Sequence, residues 1–327
     1  MPSSPKRLTE STHMARLILA NTFSKAVKRL PLLQRFLWAV EAGIFGIFLG
    51  IGRLLSPEHA SALGRRIFRA VGPRMDKTRI FRRNLTLAFP EKSASEIEAL
   101  IRDIWGNLGS VLAEYPHLPT YAVPGEPDRL DIVVNCDSPV FNNTGTAAVF
   151  VSAHLANWEI PLAAGIRLGI PLSVLYTPLQ NPWLDRMLYR ARARMGFSLL
   201  PRDGGIRTLV REIGSGRSVG LLVDQRVDSG EPVPFFGLEM NTSTTPARLA
   251  LRYHCDLIPI RVQRLGDARF RVSFEPPITP SAGITDDHRK ILDMTRQLNE
   301  LFEAWIRERP QEWLCSKRRW AKDAKRP

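Results

Sequence analysis

Cysteine is scarce in this chain. Three occur in 327 residues, Cys136, Cys255 and Cys315, far apart and none in a C-x-x-C pair. That excludes a disulfide-stapled scaffold and argues against structural zinc, so reduced thiols in a cytoplasm-facing protein are the simplest reading. No internal repeat and no low-complexity segment appear, so neither a repeat array nor a compositionally biased chain fits. Acids are under-represented, 32 against 46 Lys and Arg, which leaves a net charge of +14. Long apolar runs are also missing, with one exception. Residues 36–52, FLWAVEAGIFGIFLGIG, are interrupted only by Glu41. No small-residue cleavage site follows, so the segment is expected to be retained.

What is present is ample for a core. Apolar residues make up 44% of the chain, and only the ends, residues 1–15 above all, look flexible. The positive charge is uneven. Residues 1–83 hold 16 Lys and Arg against four acids, and residues 316–327 hold six against one. The middle of the chain is slightly acidic. Basic residues that flank an apolar segment point to an anionic membrane surface, where each contributes about 1 kcal/mol. At 17 residues the segment is at the lower limit of a span. A membrane anchor, spanning or shallow, is expected, and an ordinary buried helix is the alternative. Bases on both sides leave its orientation undetermined.

The first third reads as helical. Helices are expected over 56–70, which opens on Ser-Pro-Glu, and over 95–115, where Ser93 or Ser95 caps a stripe of Ile97, Leu100, Ile101, Ile104, Leu108, Val111 and Leu112. Near residue 130 the character changes. Short β-branched runs at 131–134, 147–153, 172–176, 219–223, 257–262 and 270–274 alternate with helical stretches at 158–168, 181–195 and 204–213. The pattern predicts an α/β sheet with parallel parts, a hairpin through Gly266-Asp267, and a last helix over 287–308. The organisation expected is a basic N-terminus over 1–35, an anchor helix over 36–55, one domain over 56–320 (helical to 128, α/β from 129) and a basic tail over 321–327.

One stretch concentrates chemistry. Ala147 to Pro161, AAVFVSAHLANWEIP, is a strand entering a helix. Asn157 is placed to cap that helix, and Pro161 is tolerated in its first turn. His154 then stands at the carboxyl end of a strand, where open α/β sheets carry their sites. Glu159 lies one turn on and is expected to reach back to it. Such a histidine takes a proton from a hydroxyl while the carboxylate fixes its tautomer. A structural capping pair is the alternative. The same spacing recurs at His288 and Asp293, but inside a polar helical run, where five residues at about 100° each leave the side chains roughly 140° apart.

Further motifs accompany the pair: R-R-N-L-T-L-A-F-P at 82–90, the Glu114 region, L-Y-T-P-L-Q-N-P-W-L-D at 175–185, D-Q-R at 224–226, P-F-F-G at 234–237 and P-Q-E-W-L-C-S-K-R-R-W at 310–320. With S-A-H-L-A-N-W-E-I-P at 152–161 they resemble, from about residue 35 to 320, the late acyltransferases of lipid A biosynthesis. The resemblance implies a glycerol-phosphate-acyltransferase-like mixed sheet flanked by helices, and a seat on the inner membrane with the site facing the cytoplasm. It implies an acyl carrier protein thioester as donor and co-substrate, and a lipid A precursor or related glycolipid as acceptor. No cofactor and no metal are expected, and no nucleic-acid partner. His154 and Glu159 fall on the family's histidine and acid. Asn157, Arg192, Arg202 and Asp224 are candidates for substrate or oxyanion binding. Arg192 supplies a permanently charged fork of donors, unless it is a surface arginine beside Arg190 and Arg194. Asp224 ends an apolar strand and is either functional or a turn cap. Gln225 and Arg226 rank lower. Cys315 departs from the aromatic or methionine expected there, which bears on acyl-chain choice.

Two other classes compete. Gly216-Arg-Ser218-Val-Gly220 fits G-x-S-x-G, but the strand follows the serine instead of preceding it. A nucleic-acid binder would use the charge, yet no zinc spacing or reading helix is found.

Overall fold

The computed structural model describes residues 31–125, 128–142, 145–201 and 205–324. The flexible start expected over 1–15 and the candidate Arg202 lie outside the described residues. Five helices come first: α1 (Pro31–Leu54), α2 (Pro57–Val71), α3 (Thr78–Ala88), α4 (Ala94–Glu114) and the short α5 (Leu118–Tyr121). Ser56 caps α2 by accepting the His59 N–H, and Ser93 forms a capping box with Glu96 on α4. Of the predicted stripe of α4, Ile97, Ile101, Ile104, Val111 and Leu112 are buried, while Leu100 and Leu108 are only partly covered.

The rest of the chain alternates. Its order is β1 (Leu130–Val134), β2 (Val149–Ser152), α6 (Ile160–Arg167), β3 (Leu172–Tyr176), α7 (Pro182–Ala193), β4 (Ser198–Pro201), α8 (Gly205–Gly214), β5 (Ser218–Leu222), β6 (Glu231–Phe235), β7 (Leu238–Thr242), α9 (Thr245–Tyr253), β8 (Leu257–Gly266), β9 (Arg269–Phe274) and α10 (Asp287–Glu308). Seven strands form one sheet in the order β1-β9-β8-β2-β5-β3-β4. Every neighbouring pair is parallel except the β8–β9 hairpin, so the fold is the mixed α/β sheet flanked by helices that was expected. β2 lies centrally between β8 and β5, and its four residues are all buried, which explains their continuous apolar run.

The ribbon β6–β7 was not anticipated. Pro232 and Pro234 argue against a strand, but here they point to solvent while Val233 and Phe235 point inward. The turn places Phe236 and Gly237 at φ 53° and 70°, and a phenylalanine there gives no warning of a turn.

Helices α2 and α4 cross where Gly64 meets Gly109. A Cβ on Gly64 would lie 2.2 Å from the Gly109 carbonyl oxygen, and a Cβ on Gly109 would lie 2.2 Å from that of Gly64. Neither backbone has room to retreat. Gly64→Ala is therefore expected to destabilise the protein by about 1–3 kcal/mol, despite the roughly 1 kcal/mol alanine normally gains in a helix. Gly43→Ala on α1, where an added Cβ meets nothing within 4 Å, is the control expected to be neutral or stabilising in the same thermal unfolding series.

Candidate active site

β2 and β5 are adjacent and parallel, with Ser152 opposite Leu222, so their carboxyl ends deliver the next residues to one place. His154 follows β2 and Asp224 follows β5. The His154 Nδ1 lies 2.5 Å from Asp224 Oδ1. A carboxylate only accepts, so Nδ1 carries the proton and Nε2 presents its lone pair. The second Asp224 oxygen accepts the Trp313 indole N–H at 3.1 Å. Asp224 is 1% exposed and the His154 side chain 17%, so the pair is buried at its acid end and open at its base end. Burial alone would raise the Asp224 carboxyl. The charge and hydrogen bond of His154, with Arg319 and Trp313, bring it down to about 2.

Two groups flank the imidazole. Trp158 tilts beside it at 5.7 Å between ring centroids. The Gln225 amide nitrogen is 3.2 Å from Nε2 and 3.4 Å from Nδ1. That amide is within hydrogen-bond distance of Nε2, the ring nitrogen left without a carboxylate partner.

Glu159 does something other than what the sequence suggested. Among the described residues no hydrogen bond joins it to His154. Its Oε1 accepts the Tyr115 hydroxyl at 2.7 Å and Arg192 Nη2 at 2.5 Å, and its Oε2 accepts Arg192 Nε at 2.9 Å. Arg192 Nη2 also donates to the Tyr115 oxygen at 2.9 Å, which closes the ring of three. Burial pushes the Tyr115 hydroxyl well up, and Arg192 and Tyr115 overcome burial to hold Glu159 low and ionised. The carboxylate that fixes the His154 tautomer is thus Asp224. The reason is geometric: the chain reverses at Ala156, φ 47°, and both Glu159 oxygens are taken by side chains from α7 and the turn after α4. Arg192 is no solvated surface arginine. Its Nη1 takes no part in this ring.

Asn157 also needs correction. It is fully buried and its polar atoms are engaged within the protein. Its Oδ1 accepts the Glu159 N–H at 3.1 Å and its amide donates to Glu114 Oε2 at 2.8 Å. The helix it was expected to cap begins two residues later, with Glu159 at the cap position. The whole loop 153–159 is held from a distance. Leu314 donates its N–H to the His154 carbonyl at 2.9 Å, Ala156 donates its own to the Glu312 carbonyl at 3.0 Å, and Asn107 donates to the Ala156 carbonyl at 2.8 Å.

Other candidates fall away. Ser218 opens β5, at the end of the strand remote from His154; it is fully buried and its Oγ accepts the Ala148 N–H. That removes the serine nucleophile. Asp293 is occupied by Ser281, Arg296 and Gln297, so the second histidine–acid spacing forms no pair. Arg226 forms an ion pair with Asp228. Cys315 is buried, and burial pushes its thiol up, away from reactivity. Among the described residues no three potential metal ligands gather. Cavities of about 610 Å³ beside Cys136 and about 410 Å³ beside Arg129 do not include the pair. Sequence reasoning missed Tyr115, Trp313 and Arg319, and underweighted Gln225. The only signal for them was their place within motifs already noted.

Comparisons with known proteins bear on the family of the chain. A family model described as bacterial lipid A biosynthesis acyltransferase matches residues 27–322. A phosphatidylinositol mannoside acyltransferase from Mycolicibacterium smegmatis is 24% identical over 74% of this chain and 79% of its own. A lipid A biosynthesis palmitoleoyltransferase from Escherichia coli is 26% identical over 79% of this chain and 83% of its own. The 1-acyl-sn-glycerophosphate acyltransferase of Thermotoga maritima aligns with 77% of this chain and 98% of its own at a TM-score of 0.36 and 9% identity, too loose a likeness to bear on the site. On the match that spans nearly its whole length, the chain belongs to the bacterial lipid A biosynthesis acyltransferase family and is an enzyme that transfers acyl groups.

Proposed function

We propose that the enzyme transfers a fatty-acyl chain from an acyl carrier protein thioester to a hydroxyl of a lipid A precursor or a related membrane glycolipid. The observation that carries the mechanism is the His154–Asp224 pair, 2.5 Å across through Nδ1, which leaves Nε2 free of the carboxylate. In this reading His154 Nε2 takes the proton of the acceptor hydroxyl as its oxygen attacks the thioester carbonyl. Asp224 orients the ring and stabilises the imidazolium that forms. The tetrahedral intermediate collapses, the carbon–sulfur bond breaks, and the departing thiolate takes the proton back. No acyl-enzyme intermediate is needed. Arg192 is assigned to the developing oxyanion or to a phosphate of the acceptor, since a guanidinium remains charged and presents several donors. Glu159 and Tyr115 then act through Arg192 by holding its fork.

The same reading places the site at the cytoplasmic face of the inner membrane, anchored through α1. That helix of 24 residues is long and apolar enough to cross a membrane. Phe36, Val40, Ile44, Ile47, Ile51 and Leu54 are exposed along it, while Glu41, Ala42, Phe45 and Gly52 face the domain. A continuous outward apolar stripe is what a lipid-facing helix presents.

With labelled acyl carrier protein thioesters and a tetraacylated lipid A precursor, His154→Ala and Asp224→Asn are each expected to lower transfer by on the order of 10²–10⁴. Glu159→Gln is expected to lower turnover less than Asp224→Asn. The reverse order would return Glu159 to the side of His154. Full activity in His154→Ala would remove the general base. For the anchor, Val40→Asp combined with Ile47→Asp should release protein from anionic vesicles in flotation, since an aspartate deep in the bilayer costs about 2.5–3.5 kcal/mol. Undiminished flotation would show that α1 is not the membrane contact.

A further inference from the structure

The segment after Trp313 carries a charge the mechanism above leaves unused. Arg319 is 1% exposed, yet its Nε, Nη1 and Nη2 are all buried without a hydrogen-bond acceptor among the described residues. Its guanidinium lies 4.6 Å from the centroid of the Phe235 ring and 5.9 Å from that of Trp313. Asn84 Oδ1 accepts its backbone N–H at 3.2 Å, which fixes where the side chain enters. A buried guanidinium with no acceptor costs several kcal/mol, and an apolar residue in the same aromatic box would avoid that cost. Stability does not account for the arginine.

Its electrostatic neighbour is Asp224. From the C-terminal segment the Trp313 N–H meets that carboxylate, with Arg319 against the Trp313 ring and the charge of Arg319 and the thiol of Cys315 within reach of it, and from the end of β2 it meets His154. The ring itself is flanked by the uncharged Gln225 and Trp158. A desolvated carboxylate against an imidazole strengthens the ring's hold on its proton. A base already filled accepts nothing. A buried cation near the carboxylate opposes that hold, and does so strongly where water is excluded.

We propose that Arg319 is a positioning residue of the active site, whose buried charge keeps the His154–Asp224 pair free of its extra proton at neutral pH, so that Nε2 is available to the acceptor hydroxyl. Burial presses Arg319 down to about 10, which still leaves it charged at neutral pH, and its field is among the causes that hold Asp224 down. The assignment rests on the reading of His154 as general base.

The test follows the His154 imidazole by NMR in the full-length protein with labelled histidines, His154→Ala identifying its signal. Arg319→Met and Arg319→Gln both remove the charge but differ in polarity, and thermal unfolding confirms that each is folded. In a folded variant the titration midpoint of His154 should rise by roughly one pH unit or more, a tenfold gain in proton affinity. The acidic limb of kcat/KM should move to higher pH by the same amount while the plateau is kept. A residue that merely filled space would lower the plateau and leave the midpoint in place. A folded neutral variant with the wild-type midpoint overturns the proposal. The titration requires no turnover, so its outcome is independent of whether His154→Ala abolishes acyl transfer.

Discussion

The ion pair between Glu114 at the end of α4 and Arg264 on β8 is the interaction on which the site depends. Both side chains are buried, and the guanidinium grips both carboxylate oxygens, the second at 3.1 Å. Several polar groups around it are tied to the same two residues. Ser61 and Asn157 donate to Glu114, and Arg264 Nε donates to Asn107, which holds the Ala156 carbonyl. Loss of one partner would strand a charge, at a cost of about 3–5 kcal/mol, and would also release the loop that carries His154. The pair thus couples the helical N-terminal layer, the sheet and the loop that carries His154.

Besides Arg319, three buried acid–base pairs lie in this small region among the described residues: Glu114 with Arg264, Glu159 with Arg192 and Asp224 with His154. The first two pairs join carboxylates to guanidinium forks and leave no proton to exchange near neutrality. The third joins a carboxylate to an imidazole, the side chain whose ordinary range lies close to neutral pH. The local chemistry separates a rigid frame from a single group able to move a proton, and it does so with residues of like charge set close together.

Much of this was legible in the sequence, and the failures have physical causes. The strand Leu172–Tyr176 and the helix Asp287–Glu308 match their predicted spans because apolar period and flanking breakers are local signals. Helix α3 escaped notice, although Phe81, Asn84, Leu85 and Ala88 are buried at helical spacing. Arginines interrupt that face, and Lys77 at its start makes no side-chain cap. His154 could be placed because it ends a strongly apolar strand. Its partner could not, since Asp224 is 70 residues away in sequence and is delivered by the neighbouring strand, an order that no local pattern encodes. Glu159 was close in sequence and wrong in space. Arg319 stood among basic residues of the tail with nothing to mark it as buried.

Helix α1 is fastened at two places: Asn181, the N-cap of α7, donates to the Trp38 carbonyl and to Glu41, and the His117 ring meets the Gly52 carbonyl. Trp38 and Gly52 are about 21 Å apart along a helix rising 1.5 Å per residue. A rod pinned near both ends neither swivels nor hinges against its load. In a protein that rests on lipid through α1, the height of His154 above the bilayer becomes a built-in dimension, as in a drilling jig. Acceptor hydroxyls would then be sorted by how far they stand from the hydrocarbon.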